Sequence, residues 1–201
     1  MKLLVLGLNH KTASVELREQ LAVGQSDLVS RAQDLKLRHG LNEIVLLSTC
    51  NRVEIYATPG RQLDRASSLL QLFFGDPRDL SSHTYFYEDA EAARHLFRVA
   101  AGLDSMVFGE TEITGQVKKA YEMARGAQLT SSILNRVFQN AFQVVKEVRT
   151  RTGIGRGATS VGSVAAELAE RIRTVQDLSV RQMRAFGESL AELMASIAPR
   201  E

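Results

Sequence analysis

The chain has 201 residues, 44% hydrophobic and 24% charged, with a formal net charge of +2. That is an ordinary globular balance, with room for one domain of sizeable core or two small ones. A single cysteine excludes an internal disulfide framework and a cysteine-rich metal site, and fits a reducing compartment. The apolar stretch in MKLLVLGLNHKTA is too short for a signal-peptide core or a membrane span, so a cytoplasmic protein with no membrane partner is expected.

The first strand is expected over Leu3 to Leu8. Ser26 is placed to cap a helix carrying Leu28, Ala32 and Leu35, with Gly40 at its end. EIVLLS (Glu43 to Ser48) and VEIYA (Val53 to Ala57) read as two strands. The short polar connection Thr-Cys-Asn-Arg between them suggests an antiparallel pair. Thr58-Pro59-Gly60 breaks the chain, a helix is expected over Leu63 to Phe74, and HTYFY (His83 to Tyr87) reads as a fourth strand. The order β-α-β-β-α-β is that of a ferredoxin-like sandwich.

From Asp89 the pattern turns helical. Asp89 is expected to cap a helix carrying Ala92, Leu96, Val99 and Leu103. A second helix runs around Ile113, Val117, Ala120 and Ala124, and a third after Thr130 carries Leu134, Phe138, Ala141, Val145 and Val148. The glycine-rich TGIGRGATSVGS interrupts it before a further helix near Val161. The expected architecture is α+β: a βαββαβ subdomain over 1–88, a helical bundle over 89–155, and a helical hinge with a remnant segment over 156–201.

Cys50, in LLSTCNRVEIYA, is the first candidate for chemistry. A lone cysteine beside a hydrophobic strand usually serves as a small buried hydrophobe. This one stands at the strand's end in a polar turn, with Arg52 two positions on, and a nearby cation favours the attacking thiolate. His95 shares the apolar face of its helix with Ala92 and Val99, a placement that suits a core histidine as well as a catalyst. Thiol and inward-facing histidine together are the usual parts of an activated nucleophile.

Asp104, Ser105, Glu110 and Gln116 surround a helix break that serves either as a capped turn or as a pocket lining. Gly153, Gly155 and Gly157 resemble a phosphate loop only loosely, because the spacing is not G-x-G-x-x-G and a helix precedes it. Between Gly115 and Arg156 stand eight basic residues, including Lys118, Lys119, Arg149, Arg151 and Arg156, against only Glu122 and Glu147. Such a stretch suits a solvated helix face or a polyanion footprint.

GLNHKTASVELREQL, LLSTCNRVEIYA, HLFRVAAGLDSMVFGETEITGQVKKAY and TGIGRGATSVGSVAAELA, in this order, resemble the glutamyl-tRNA reductase family. The resemblance implies that the thiol matching Cys50 attacks the ester of glutamyl-tRNA to give a thioester, which NADPH reduces to glutamate-1-semialdehyde for tetrapyrrole synthesis. It implies that Arg52 pairs with the glutamate carboxylate. Thr49, Ser105, Glu110 and Gln116 would line the glutamate pocket, and His95 would lie near the reacting carbonyl. Lys118, Lys119, Arg149, Arg151 and Arg156 would meet tRNA phosphates.

Thr111-Glu112 and Thr114 depart from the family's usual residues beside that pocket. The larger departure is C-terminal. DLSVRQMRAFGESLAELM keeps landmarks of the family's NADPH-domain opening but lacks its apolar strand and glycine pair, which a phosphate-cradling turn needs. The expectation is a catalytic domain without an NADPH site of its own, a truncated form or a separate short protein, limited to thioester formation and hydrolysis. Reduction would then need a full-length reductase or another NADPH-bearing partner. The competing readings are a non-catalytic module that binds glutamyl-tRNA or a reductase, and a broken gene product.

Overall fold

A computed structural model describes residues 2–60 and 80–154, together with positions 170, 172 and 188. Among these, the order is β1 (Leu4–Asn9), α1 (Val15–Leu21), α2 (Leu28–Arg38), β2 (Leu41–Ser48), β3 (Arg52–Pro59), a 3-10 turn (Ser81–His83), β4 (Tyr85–Glu88), α3 (Asp89–Ala100), α4 (Glu112–Gly126) and α5 (Ser132–Arg151). The strands form one sheet in the order β2-β3-β1-β4, every neighbouring pair antiparallel. This is the ferredoxin-like arrangement expected, with β1 and β3 in the centre. The helix expected over Leu63 to Phe74, the segment after Gly153 and the C-terminal remnant lie outside the described residues. Contacts within the chain group it into two compact units, Met1–Thr159 and Ser160–Glu201; the sheet and helices above belong to the first.

β1 is buried along its whole length because both sheet faces are covered. Register places Leu6, Ile55 and Leu46 side by side on one face. There Leu46 meets Leu28, Val29 and Ala32 of α2 and Ala120 and Ala124 of α4. The opposite face carries Val5, Tyr56 and Val45, with Gly7 beside Glu54. Phe138 of α5 packs edge-on against Tyr56, with ring centroids 5.4 Å apart. Among the described residues, the buried polar side chains of the strands, Asn9, Glu43, Arg52, Glu54 and Thr58, lie on this second face.

Several local signals act differently from the sequence expectation. α1 was not expected; Ser14 caps it by accepting the Leu17 amide, and its role becomes clear at the site below. Ser26 does not cap α2: Asp27 holds that position without a side-chain bond, and the Ser26 hydroxyl turns to the Asp27 carboxylate instead. Asp89 is likewise not a cap. It begins α3 at φ 46°, and its carboxylate accepts the Leu3 amide at 3.1 Å, closing the end of the β1–β4 ladder. His83 sits in the 3-10 turn rather than in β4, with its Nδ1 3.0 Å from the Thr12 carbonyl.

The N-terminus of α5 is capped from another element. Glu43, 1% exposed, projects from β2 and accepts the amides of Ile133 at 3.1 Å and Leu134 at 2.6 Å, together with the Ser131 hydroxyl. A carboxylate there meets both the orphan donors and the positive end of the helix dipole. Glu43→Ala leaves these donors buried and unpaired. It should lower unfolding free energy by about 2 kcal/mol, seen as a reduced urea midpoint with an unchanged denaturant slope.

Candidate active site

Arg52, Glu54 and Tyr56 alternate along β3 and so point to the same face. Glu54 is 0% exposed and accepts four donors. These are the Arg52 guanidinium at 2.9 Å, His95 Nε2 at 2.8 Å, the Tyr56 hydroxyl at 2.5 Å and the Tyr85 hydroxyl. Opposite it on β1 stands Gly7, where an added Cβ would meet Glu54 Cγ at 2.7 Å and the Val53 carbonyl at 2.8 Å. Only glycine leaves room for the carboxylate. His95 reaches the site from α3 and rests against the rings of Tyr85 and Tyr87, with centroids 5.1 and 4.9 Å away.

Arg52, 1% exposed, extends the network to the loop after α3. Its second terminal nitrogen donates to the Asp104 carbonyl at 2.6 Å and to the Asp104 carboxylate at 3.2 Å. Asp104 also accepts from Asn9 at 3.1 Å and Lys11 at 2.5 Å. The guanidinium two residues from the thiol is thus turned into the core, with both terminal nitrogens taken. Its expected pairing with a substrate carboxylate would have to compete with two carboxylates already in place.

Cys50 is exposed at the tip of the β2–β3 turn. Thr49 organises that turn: its hydroxyl accepts the amides of Asn51 at 3.2 Å and Arg52 at 3.1 Å, and its own amide donates to the Arg52 carbonyl at 2.8 Å. The His10 amide donates to the Asn51 carbonyl at 2.9 Å. Arg18 of α1, 7% exposed, donates to the Cys50 carbonyl, to Asn51 Oδ1 at 3.2 Å and to the Ala13 carbonyl at 3.3 Å. The thiol therefore stands on a turn braced from β1 and α1. The question raised by a lone cysteine resolves toward exposure rather than core packing.

The other expected residues divide into two groups. Ser105 follows Asp104, and its hydroxyl oxygen is buried with no hydrogen-bond partner among the described residues. Glu110 is buried at the far end of the same loop. Gln116 and Lys119 line a cavity of about 320 Å³ with Ser48, which stands two residues before the thiol. Lys118 is exposed beside Glu122, and Arg151 is exposed at the end of α5. Arg149 instead turns inward, donating to the Thr114 hydroxyl at 2.7 Å and the Glu110 carbonyl at 3.4 Å. That is a tie between α5 and the start of α4. Arg156 lies outside the described residues.

The electrostatics follow from this geometry. Burial alone would raise the Glu54 carboxyl, but the Arg52 charge and the bonds from His95 and Tyr56 outweigh it and hold it at about 2. Burial raises Tyr56 and Tyr85, and the neighbouring Glu54 charge raises them further, so both remain donors. Burial would also raise Asp104, but the bond from Lys11 and the Arg52 charge keep it below its ordinary value. The Glu54 contribution to stability is complete above its ordinary value of 4.5 and is lost as pH falls toward 2. Urea midpoints measured across that window should show a loss of about 3 kcal/mol in excess of that of Glu54→Gln, whose neutral amide cannot titrate there.

Comparison with known proteins bears on what this site is. Residues 6–152 match the model of the glutamyl-tRNA reductase N-terminal domain. A glutamyl-tRNA reductase of Akkermansia muciniphila is 48% identical over 175 residues, covering 86% of this chain and 52% of the relative. One from Stenotrophomonas maltophilia is 45% identical over 190 residues, covering 94% of this chain and 44% of the relative. The solved glutamyl-tRNA reductase from Methanopyrus kandleri superposes with a TM-score of 0.69 at 42% identity, over 84% of this chain and 39% of that one. The chain thus spans about half or less of the length of these proteins. No helix among the described residues is long and apolar enough to cross a membrane. With its sheet, its braced cysteine turn and a match through both, this chain belongs to the glutamyl-tRNA reductase family and carries that family's N-terminal domain.

Proposed function

We propose that this domain captures the glutamyl group of glutamyl-tRNA as a thioester on Cys50. The observation that carries the reading is the position of the single thiol: exposed at the tip of a turn whose backbone is bonded from several sides, above a buried charge network. The Cys50 sulfur forms a bond to the ester carbonyl carbon as the carbonyl electron pair moves to oxygen. When the carbonyl re-forms, the carbon–oxygen bond to the terminal ribose breaks, and the ribose oxygen leaves with the proton that the Cys50 thiol gives up. Water can then hydrolyse the thioester to free glutamate.

The unpaired hydroxyl of Ser105 and the exposed side chain of Gln116 are the polar groups we assign to the glutamyl group. Thr49 works by shaping the turn, and Glu110 by its place at the end of the Ser105 loop. Arg52 is the cation nearest in sequence, and in this role it would exchange a present partner for the substrate carboxylate. His95, fixed on Glu54, is a positioning group for the Arg52–Glu54 pair and for the pocket's aromatic wall. Lys118, Lys119 and Arg151 supply exposed charge for tRNA phosphates, whereas Arg149 is occupied within the fold.

Reduction of the thioester by NADPH is the step we assign to the longer proteins of the family. Among the described residues every strand belongs to one antiparallel sheet, and none leads through a glycine-rich turn into a helix. In our reading the domain works in the cytoplasm, with a full-length reductase or another NADPH-bearing chain as the partner for reduction.

The test mixes the chain with tRNA charged with radiolabelled glutamate and quenches in acid. Label on the protein should be released by hydroxylamine and be absent from Cys50→Ala. Bound tRNA with no protein label and no accelerated deacylation would contradict the reading and favour a binding module.

A further inference from the structure

Every acyl transfer through a thiol passes an oxyanion, and the charge on that oxygen needs a fixed donor. The Cys50 turn offers one. The amides of Thr49, Asn51 and Arg52 are bonded to the Arg52 carbonyl or the Thr49 hydroxyl. Among the described residues the Cys50 amide alone, of the four in this turn, has no partner. On one side its peptide is flanked by Thr49, fixed through both amide and hydroxyl. On the other side it is flanked by the Cys50 carbonyl, held by Arg18.

We propose that the backbone N–H of Cys50 donates to the developing oxyanion, and that Arg18 is the positioning residue that, by holding the adjoining Cys50–Asn51 peptide, fixes the direction of that N–H. The inference rests on the thioester reading above. A nucleophile's own amide lies close to its side chain, so it meets the oxygen of whatever carbonyl the sulfur attacks. Arg18 suits the positioning task because one guanidinium ties three points together: the Cys50 carbonyl, Asn51 Oδ1 and, through Nε, the Ala13 carbonyl just before α1. It is 7% exposed, so the brace is shielded from competing water. α1, only seven residues long, delivers this side chain beneath the turn. Lysine cannot span the same acceptors, because it carries one nitrogen on a flexible stem.

In the step itself, the sulfur–carbon bond forms while the carbonyl electron pair moves to oxygen and is held by the Cys50 N–H. The pair returns as the ribose oxygen departs, taking up the proton lost by the thiol. Arg18 touches none of the reacting atoms, and its loss acts through the turn.

The experiment compares two reactions of the same thiol in the 201-residue chain and in Arg18→Lys and Arg18→Met. One is acylation by glutamyl-tRNA in a single turnover. The other is alkylation by iodoacetamide, a displacement at saturated carbon that develops no oxyanion. Acylation should fall by roughly 100-fold in Arg18→Met, the loss expected when one oxyanion donor is misplaced, with alkylation little changed. Arg18→Lys should fall between the two, and added guanidinium ion should restore part of the Arg18→Met acylation.

Equal losses in both reactions would overturn the proposal, since Arg18 would then serve the thiol or the fold as a whole. Unimpaired acylation would overturn it too. Absence of label on the unsubstituted chain counts instead against the thioester reading itself. Should the variants fail to fold by circular dichroism, the unsubstituted chain decides the matter with a small glutamyl ester and its thiono analogue. Sulfur is a poor acceptor for the amide, so the thiono ester should be disfavoured far more by the protein than by a free thiol. An equal preference from both would overturn the proposal.

Discussion

The buried ion pair between Arg52 and Glu54 is the constraint on which the rest of this site depends. Both side chains sit out of water, at 1% and 0% exposure. Neither charge is tolerable there alone, so each fixes the other and everything that completes their hydrogen bonds. Glu54 gathers His95 from α3, Tyr85 from β4 and Tyr56 from its own strand. Arg52 gathers Asp104 from the loop beyond α3, and Asp104 in turn holds Asn9 and Lys11 at the end of β1. Elements far apart in sequence are brought to one end of the sheet by the need to satisfy two charges.

This arrangement also separates two tasks that the sequence places side by side. Arg52 faces inward and organises the core, while Cys50, two residues earlier, faces solvent on a turn braced by Thr49, His10 and Arg18. The ladder ends here because β1 pairs only as far as Asn9 with Arg52, and the His10 amide then takes the Asn51 carbonyl. A side chain held this way has little conformational freedom left to lose on meeting a ligand, which is the structural meaning of preorganisation. The Ser105 hydroxyl, carried on the loop that Asp104 anchors, is positioned by the same network.

The strands, their antiparallel pairing and the helices α2 to α5 were legible because their apolar residues repeat at the period of each element. α1 was not: its seven residues carry a short pattern, and its purpose is to deliver Arg18, which no periodicity records. The cap assignments at Ser26 and Asp89 failed because a polar residue before a helix has other possible partners, here a neighbouring carboxylate and a strand amide. That Cys50 stands outside the core was legible from its polar turn. Its neighbours' roles were not, since only the fold decides that Arg52 points to Glu54 and Arg149 to Thr114. A signal for Glu54 did exist: an acid inside VEIYA, in step with Arg52 and Tyr56, is costly in a strand buried on both faces unless it is fully paired.

The central claim is that Arg52 and Glu54 act as one unit. The most direct measurement is a double-mutant cycle on stability, with Arg52→Met, Glu54→Leu and the pair together, each unfolded in urea. The account predicts that either single change costs about 3–5 kcal/mol by stranding a buried charge, and that the double variant recovers much of that loss, giving a coupling of at least about 2 kcal/mol. Additive losses with no coupling would contradict it, and the network would then be a set of independent contacts rather than a structure built around one ion pair.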